Sequence, residues 1–307
     1  GATALAVLAL RAAKVPSDDL AIQRALKRTL LVFDKTGAAL RSLGGYTYGI
    51  SLLAMALAAV DAKRYREQIQ AIALQLSRGQ LANGAWTYRC RATEARAHRG
   101  DNSNAQYAIL GLRAAMRAGV PVTAETWKRA ETYWRETRNA SRGWGYTARS
   151  RTSRELSMTA AGLGSLAICL EGLHGREAAK VIDQDPVIEG GLVRLGELLL
   201  RAGYEKSELY ALYGVERAGI LTGTRAFEEF DWYRKGAYKL VISQDRLGAW
   251  GISSPRSIAR GEGYGHAIDT AYALLFLKRA TTRISDSQDR VVRVPDAVRK
   301  KKAPWER

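Results

Sequence analysis

The chain alternates between two kinds of predicted helix, and this alternation restricts the fold more than any other feature. Six segments are rich in small residues and apolar on most sides, namely 2–13, 48–60, 104–119, 158–173, 208–221 and 267–280. Five others carry a charged face, namely 18–32, 63–78, 124–138, 186–201 and 226–243. A helix that is apolar all round must be buried, whereas a helix with a charged stripe faces water. The sequence therefore predicts an all-α fold, an α/α toroid in which about six inner helices are surrounded by five to six outer ones. The sixth outer helix would lie before residue 1 or be replaced by the chain from Thr281.

A short motif recurs between these helices. The stretches QLANGAW (80–86) and QDRLGAW (244–250) share Gln, Gly and Trp at the same spacing, and NASRGWGY (139–146) keeps the Gly/Trp half. Each copy follows an outer segment and precedes an inner one. A Gln at a helix end can hydrogen-bond to the next element while the indole packs over it, and Gly supplies a backbone conformation that other residues resist. We interpret the motif as a structural clasp between repeats rather than a catalytic element. Its residues are Gln80, Gly84, Trp86, Trp144, Gln244, Gly248 and Trp250.

This clasp, on this helical period, resembles the QW-type repeat of the terpenoid cyclase and protein prenyltransferase superfamily, the squalene cyclases included. The resemblance covers residues 2–280 and implies a toroid domain over 1–280. Residues 281–307 are then expected to form a basic C-terminal tail, a linker or an arm lying across the ring. The family's ring hosts class II terpene cyclases, zinc prenyltransferases and members with no known chemistry, so the resemblance implies a fold more than an activity.

The resemblance places the acid motif of class II cyclases, Asp-x-Asp-Asp-Thr-Ala, at the stretch HAIDTA (266–271). The final Asp269-Thr-Ala is retained, but His266 stands at the first Asp and Ile268 at the proton donor. Isoleucine cannot donate a proton, and Asp269 alone, even beside His266, is expected to be ionised. Class II cyclisation is therefore not expected.

The zinc ligands of the prenyltransferases are an Asp, a Cys and a His, which the resemblance aligns with Glu208, Tyr210 and Asp269. The thiolate ligand is missing, and Cys90 and Cys169 lie elsewhere in the chain. We therefore predict neither a metal nor a cofactor. If the protein is catalytic at all, the best candidate residues are Asp269, His266 and Glu208.

The charge balance favours anionic partners. The chain has 48 Lys and Arg against 30 Asp and Glu, a net charge of +18, which favours anionic ligands or simply keeps the protein soluble. In a toroid, three arginine-rich connections, 88–100, 138–155 and 254–263, would emerge on the face that holds the N-termini of the inner helices. Arginines and helix N-termini both favour anions. This rim is predicted to bind an anion, or alternatively to be a set of solvated loops; its candidate residues are Arg99, Arg154, Arg256 and Arg260.

Polar side chains interrupt the apolar helices just inside this rim. Asp101, Gln106, Tyr210 and Tyr213 are predicted to face a ligand at the mouth of the barrel. Helix capping is the alternative and the favoured one for Asp101, because Asp is a good N-cap residue.

These observations predict a binding module, with an arginine-rich rim over a central cavity, that takes an anionic or isoprenoid-like small molecule and belongs to a longer chain. One alternative is an enzyme with altered chemistry (cyclase, transferase, lyase or hydrolase) on an isoprenoid or polyanionic substrate. Another is a structural interaction ring, which a core filled with side chains would favour.

The sequence carries no specific nucleic-acid signal and no apolar run of the roughly 18 residues that a membrane span requires. The chain begins with Gly1, so we expect a processed or trimmed piece, and its two cysteines leave the compartment open, export included.

Overall fold

The computed structural model describes residues 1–31, 46–92, 100–147, 155–204, 207–251 and 264–295. This part of the chain is mainly helical, as the sequence predicts. Its helices, numbered in chain order, are α1 (Ala2–Ala12), α2 (Leu20–Leu30), α3 (Thr47–Asp61), α4 (Arg66–Arg78), α5 (Asn102–Arg117), α6 (Ala124–Glu136), α7 (Glu155–His174), α8 (Ala178–Gln184), α9 (Pro186–Ala202), α10 (Leu209–Leu221), α11 (Trp232–Ser243) and α12 (Tyr264–Leu277). All six apolar segments and all five amphipathic segments contain one of them.

Two regions differ from the predicted helices. A short 3₁₀ helix, Gly175–Glu177, and α8 lie between α7 and α9. The predicted helix 226–243 instead begins with strand β1 (Thr224–Phe227) and strand β2 (Phe230–Asp231), and only its second part is helical. Strand β1 pairs with β2 on one side and with β3 (Arg290–Val292) on the other, in the order β2-β1-β3.

The apolar helices are neighbours of one another. Helix α1 packs against α3, α3 against α5, α5 against α7, α7 against α10, α10 against α12, and α12 against α1. The amphipathic helices pack on these: α2 on α1, α4 on α3 and α5, α6 on α7, α9 on α7, and α11 on α10 and α12. The arrangement follows from composition, because the apolar helices have no face that could be left in water.

Helix α7 shows this burial most clearly. Every residue from Ser157 to Glu171 is buried. The helical stretch Glu155–Gln184 is long and apolar enough to cross a membrane by length and composition, but 83% of its apolar window is buried inside the protein. Its apolar part, α7, is therefore a core helix packed among the other apolar helices. The described residues contain no clear transmembrane segment.

The chain beyond α12 lies against the helices. Arg113 of α5 donates from Nη2 to the carbonyl oxygen of Thr282 at 2.8 Å, and Arg117 donates to that of Arg283 at 2.9 Å. Farther on, β3 pairs in parallel with β1, and Val294 is buried. Residues 281–294 thus form an arm packed on the helices, whereas 296–307 are outside the described residues. The domain boundary at 280 stays a prediction.

Glu216 of α10 joins this arm to the helices. It is fully buried, and its carboxylate accepts hydrogen bonds from the Thr281 backbone N–H at 3.0 Å and from Thr281 Oγ1 at 2.6 Å. Burial raises the pKa of Glu216 to about 7, and the two bonds from Thr281 only partly oppose the shift.

A carboxyl group whose pKa is raised on folding stabilises the protein fully below its unfolded pKa and loses that contribution as the pH rises through its folded pKa. Relative to Glu216→Gln, we therefore expect the parent's free energy of unfolding to fall by on the order of 3 kcal/mol between about pH 4.5 and pH 8. Urea denaturation at several pH values measures this. The control is Glu67→Gln, which removes an exposed carboxyl group from α4. A flat difference for Glu216→Gln would contradict the assignment.

Candidate functional site

The three clasp tryptophans make the same hydrogen bond. Trp86 Nε1 donates to the Leu76 carbonyl at 2.8 Å, Trp144 Nε1 to that of Trp134 at 2.7 Å, and Trp250 Nε1 to that of Leu240 at 2.8 Å. In each case the acceptor lies ten residues earlier, in the preceding amphipathic helix. Trp86 and Trp144 are fully buried, and Trp250 is 5% exposed. A buried indole N–H needs such a partner, so the bond fixes the turn that follows each amphipathic helix.

The Gln and Gly of the motif close that turn. Gln80 Nε2 donates to the Gly84 carbonyl at 3.0 Å, and Gln244 Nε2 donates to that of Gly248 at 2.9 Å. Gly84 has φ +87° and Gly248 has φ +79°, a conformation that Gly adopts readily and other residues resist.

The middle copy has the same turn with different residues. Arg138 takes the place of Gln and donates from Nε to the Arg142 carbonyl at 3.2 Å, while Arg142 takes the place of Gly and has φ 69°. The Asn139 N–H bonds to the Gly143 carbonyl at 2.9 Å, as the residue after Gln does in the other copies. Sequence reasoning recognised only the Gly-Trp half of this copy. Arg138 stands where the other copies have Gln, and the two side chains share only the ability to donate a hydrogen bond.

Two of the copies also bind the next amphipathic helix. Gln80 donates to the Thr126 carbonyl at 3.1 Å and accepts from Arg129 Nη2 at 2.7 Å, which ties the first copy to α6. Arg142 Nη2 donates to Glu197 at 2.7 Å, which ties the middle copy to α9. Gln244 is exposed, so the third copy is a clasp within its own turn.

A second cluster lies where the apolar helices meet, and we call it the central cluster. Its residues come from α3, α5, α10 and α12 and are Tyr48, Gln106, Tyr107, Tyr210, Tyr213, Arg217 and Tyr272. Arg217 is 3% exposed, and its Cζ lies 4.2 Å from the ring centroid of Tyr213 and 5.8 Å from that of Tyr107. Its Nη2 donates to Gln106 Oε1 at 2.9 Å.

Hydrogen bonds between phenols extend the central cluster across the helices. Gln106 Nε2 donates to the Tyr210 hydroxyl, which lies 3.3 Å from the hydroxyl of Tyr48. The hydroxyls of Tyr107 and Tyr272 lie 3.0 Å apart. The cluster thus satisfies most of its own polar groups within an apolar surrounding.

The electrostatics of the central cluster oppose acid–base chemistry. Burial raises the pKa of all five tyrosines, so their hydroxyls stay protonated at neutral pH; they are Tyr48, Tyr107, Tyr210, Tyr213 and Tyr272. Burial alone would lower the pKa of Arg217, but its interactions with Tyr107 and Tyr213 outweigh this and raise it. A cationic guanidinium among neutral phenols offers no group poised to exchange a proton at neutral pH.

A cavity of about 10 Å³ lies beside this cluster, between α5, α7 and α10. Its polar lining comes from Gln106, Ser165 and Arg217, and residues such as Leu110 and Leu221 complete it. Pockets for small organic ligands have volumes of roughly 300–1,000 Å³. This cavity is therefore far too small for a polyene or a prenyl chain.

Three of the four predicted mouth residues belong to the central cluster. Gln106 and Tyr210 are in direct contact, and Tyr213 packs against Arg217 and, at a centroid distance of 5.8 Å, against Tyr272. The fourth, Asp101, caps α5 by accepting from the Asn104 N–H at 2.8 Å.

The candidate catalytic residues lie at or near the starts of two neighbouring helices, α10 and α12. Glu208 is the residue before α10 and makes no capping bond with its side chain. His266 and Asp269 are half-buried on α12, and His266 lies against Gly251. The rim residues Arg99, Arg154, Arg256 and Arg260 lie outside the described residues.

Sequence reasoning missed the centre of the cluster, Arg217. The signal was present, because the apolar segment 208–221 contains an adjacent Glu216 and Arg217 with no charged stripe to place them on. A charge on a helix that must be buried indicates a buried, compensated group. Tyr107 and Tyr272 were missed because an apolar segment readily contains aromatic residues.

The described residues hold no group of three or more His, Cys, Asp or Glu that could bind a metal ion. Cys90 and Cys169 are both buried and free. Burial raises the pKa of the Cys90 thiol to about 12 and raises that of Cys169 as well. Both thiols therefore stay protonated, which disfavours metal binding and nucleophilic chemistry.

No protein-family model matches this chain, and no characterised protein matches it in sequence.

The clasp tryptophans are expected to stabilise the fold. Replacing Trp86 or Trp250 by Ala removes a buried indole together with its hydrogen bond, so each change should cost about 3 kcal/mol or more in the free energy of unfolding. Denaturant titration measures this. If both variants unfold with the parent, the clasp interpretation is wrong.

The two clasp glycines give a matched pair. A Cβ on Gly84 would lie 2.0 Å from the Arg129 carbonyl oxygen, whereas a Cβ on Gly248 meets only Gln244 Nε2, at 3.7 Å. Gly248→Ala should therefore cost only the backbone strain of about 1–2 kcal/mol. Gly84→Ala should cost clearly more, because α6 must also move. Equal losses in thermal or denaturant unfolding would mean that the first clasp does not hold α6.

Proposed function

We propose that the helices form an α/α toroid. The apolar helices α1, α3, α5, α7, α10 and α12 form the inner ring, and α2, α4, α6, α9 and α11 form the outer one. The support is the cycle of packing, in which each apolar helix contacts the next and α12 contacts α1. In such a ring, each outer helix returns the chain to the end at which the preceding inner helix began. The N-termini of the inner helices therefore lie at the same end, which we call the N-terminal face.

We also propose that the chain is a divergent member of the terpenoid cyclase and prenyltransferase superfamily. The support comes from the three clasps, which repeat one indole-to-carbonyl bond over ten residues and one side-chain bond over four. Repetition of a whole hydrogen-bonded turn is stronger support than repetition of three residue types in a sequence.

The function we propose is ligand binding without catalysis. One observation carries it: the centre of the ring is filled by Arg217 and five tyrosines, which leave beside them a cavity of about 10 Å³. Enzymes that act on isoprenoids must enclose the substrate chain, and the cavity that the described residues leave beside Arg217 is too small for one. The phenols of the central cluster, which stay protonated at neutral pH, support the same conclusion.

The ligand is proposed to be a small anion at the N-terminal face. Arg154 immediately precedes α7, and Arg99 lies three residues before α5. Because the positive end of a helix stabilises anions, arginines at these sequence positions are proposed to bind one anion together with the starts of α5 and α7. The net charge of +18 adds a field that attracts an anion.

A structural interaction ring is the second candidate, because the same filled centre favours it. The two differ in whether the N-terminal face binds an anion with an affinity that isolated surface arginines cannot provide. One exposed Arg–anion pair contributes only about 0–1 kcal/mol, whereas several converging arginines could reach micromolar affinity.

Anion titration of the melting temperature separates the two. In a constant chloride background, sulfate, phosphate or diphosphate should raise the melting temperature saturably at millimolar concentration or below, more than sodium chloride of equal ionic strength. Replacing Arg99, Arg154 and Arg260 together by Gln should abolish the rise and leave the unliganded melting temperature nearly unchanged.

The control removes three exposed arginines from other surfaces, Arg28, Arg201 and Arg225, and carries the same change in net charge. It should keep the rise. If chloride acts as strongly, or if both triple variants respond alike, the rim is a solvated basic surface and the structural ring is favoured.

A further inference from the structure

One polar group in the central cluster has no partner. Arg217 Nη1 is buried and makes no hydrogen bond within the described part of the chain, although Nη2 of the same guanidinium is bonded to Gln106. Arg217 is also one of the residues that line the cavity of about 10 Å³ between α5, α7 and α10. A buried, unsatisfied N–H of a cation is costly, so a group that accepts its hydrogen bond is expected in that cavity.

The charge of Arg217 is only partly compensated by a carboxylate. Glu216, buried next to it in the chain, interacts with its charge, but burial raises the pKa of Glu216 to about 7, so this carboxyl is partly protonated at neutral pH, and its hydrogen bonds go to Thr281. The contacts that Arg217 does make are to neutral groups: the Gln106 amide and the ring faces of Tyr213 and Tyr107. Burying a cation among neutral groups is unfavourable unless an anion accompanies it.

The size of the cavity decides which anion fits. A volume of about 10 Å³ corresponds to about one water-sized sphere. A halide ion is a single sphere somewhat larger than a water molecule, whereas sulfate, phosphate and carboxylates have several heavy atoms and need much more space. The lining is also of two kinds: the polar Arg217, Gln106 and Ser165, and apolar side chains such as Ile168.

We propose that this cavity is a halide-binding site in which chloride accepts a hydrogen bond from Arg217 and balances its charge. The site is separate from the rim, because it lies in the core between three inner helices and excludes the polyatomic anions that the rim is proposed to bind. Chloride would act there as a structural ion that stabilises the centre of the ring.

Gly164 of α7 provides the variant that tests this. It lines the cavity, and a Cβ added to it would lie 3.5 Å from Leu221 Cδ1 and 4.0 Å from Arg217 Cβ, both ordinary contact distances. Gly164→Ala should therefore fold while its methyl group occupies the space of the ion. The matched control is Gly214→Ala on α10, whose Cβ would lie 3.5 Å from Ala160 Cβ and 3.9 Å from Arg217 Nη2, both ordinary contact distances; it touches the same guanidinium but does not line the cavity.

The measurement is the melting temperature in sodium chloride against sodium gluconate of equal ionic strength. It is made with the Arg99, Arg154 and Arg260 triple variant, so that the rim cannot contribute. Chloride and bromide, but not sulfate, should raise the melting temperature saturably by about 2–4 °C. Gly214→Ala should keep this rise, and Gly164→Ala should lose it.

Crystals grown in bromide give a second readout, an anomalous scattering peak beside Arg217 that is absent from Gly164→Ala. The proposal is overturned if chloride and gluconate give the same melting temperature, if Gly164→Ala keeps the halide response, or if no bromide peak lies at Arg217, since water then fills the cavity. If Gly164→Ala does not fold, the bromide peak in the parent decides alone. None of these outcomes depends on whether the rim binds an anion.

Discussion

The architecture depends on one hydrogen bond, from a buried indole N–H to a carbonyl at the end of the preceding amphipathic helix. Trp86, Trp144 and Trp250 each make it. The last carbonyls of a helix have no backbone N–H partner within the helix, so the indole N–H supplies a donor to a carbonyl that the helical ladder does not reach. The bond also fixes the direction in which the chain leaves the amphipathic helix and enters the next apolar one. Each apolar helix that follows a clasp is thereby held between its neighbours.

Ion pairs then tie the amphipathic helix α9 to this frame. Arg194 of α9 bonds Glu155 at the start of α7 at 2.6 Å and Glu197 at 2.8 Å, and Glu197 also accepts from Arg142 of the middle clasp. Burial would raise the pKa of Glu155, but the bonds from Arg194 outweigh it and lower that pKa. Glu155 therefore stabilises the fold in its ionised form and loses that contribution as the pH falls through its lowered pKa, the opposite of Glu216.

The helices could be predicted because an all-round apolar segment and a charged-stripe segment differ in composition over many residues. The sheet could not, because β1 depends on pairing with β3, more than sixty residues later, and only local patterns are visible in a sequence. Two clasps could be recognised from Gln, Gly and Trp, whereas Arg138 and Arg142 perform the same roles with different chemistry. In the centre, Gln106, Tyr210 and Tyr213 stood out as polar groups on apolar helices, but their partner Arg217 depends on contacts among four helices that sequence spacing does not show.

The two ends of the proposed ring differ, and this difference bears on where a ligand enters. At the end that holds the C-termini of the inner helices, Arg113 of α5 pairs with Glu171 of α7 at 2.5 Å, both side chains being at most 10% exposed, and also bonds the carbonyl of Thr282. Removing one partner of such a buried pair costs about 3–5 kcal/mol, so the arm is held firmly across these helices. Glu216 holds the arm from α10 through Thr281. A ligand would therefore meet the packed arm at this end, and we propose the opposite, N-terminal face as its route to the central cluster.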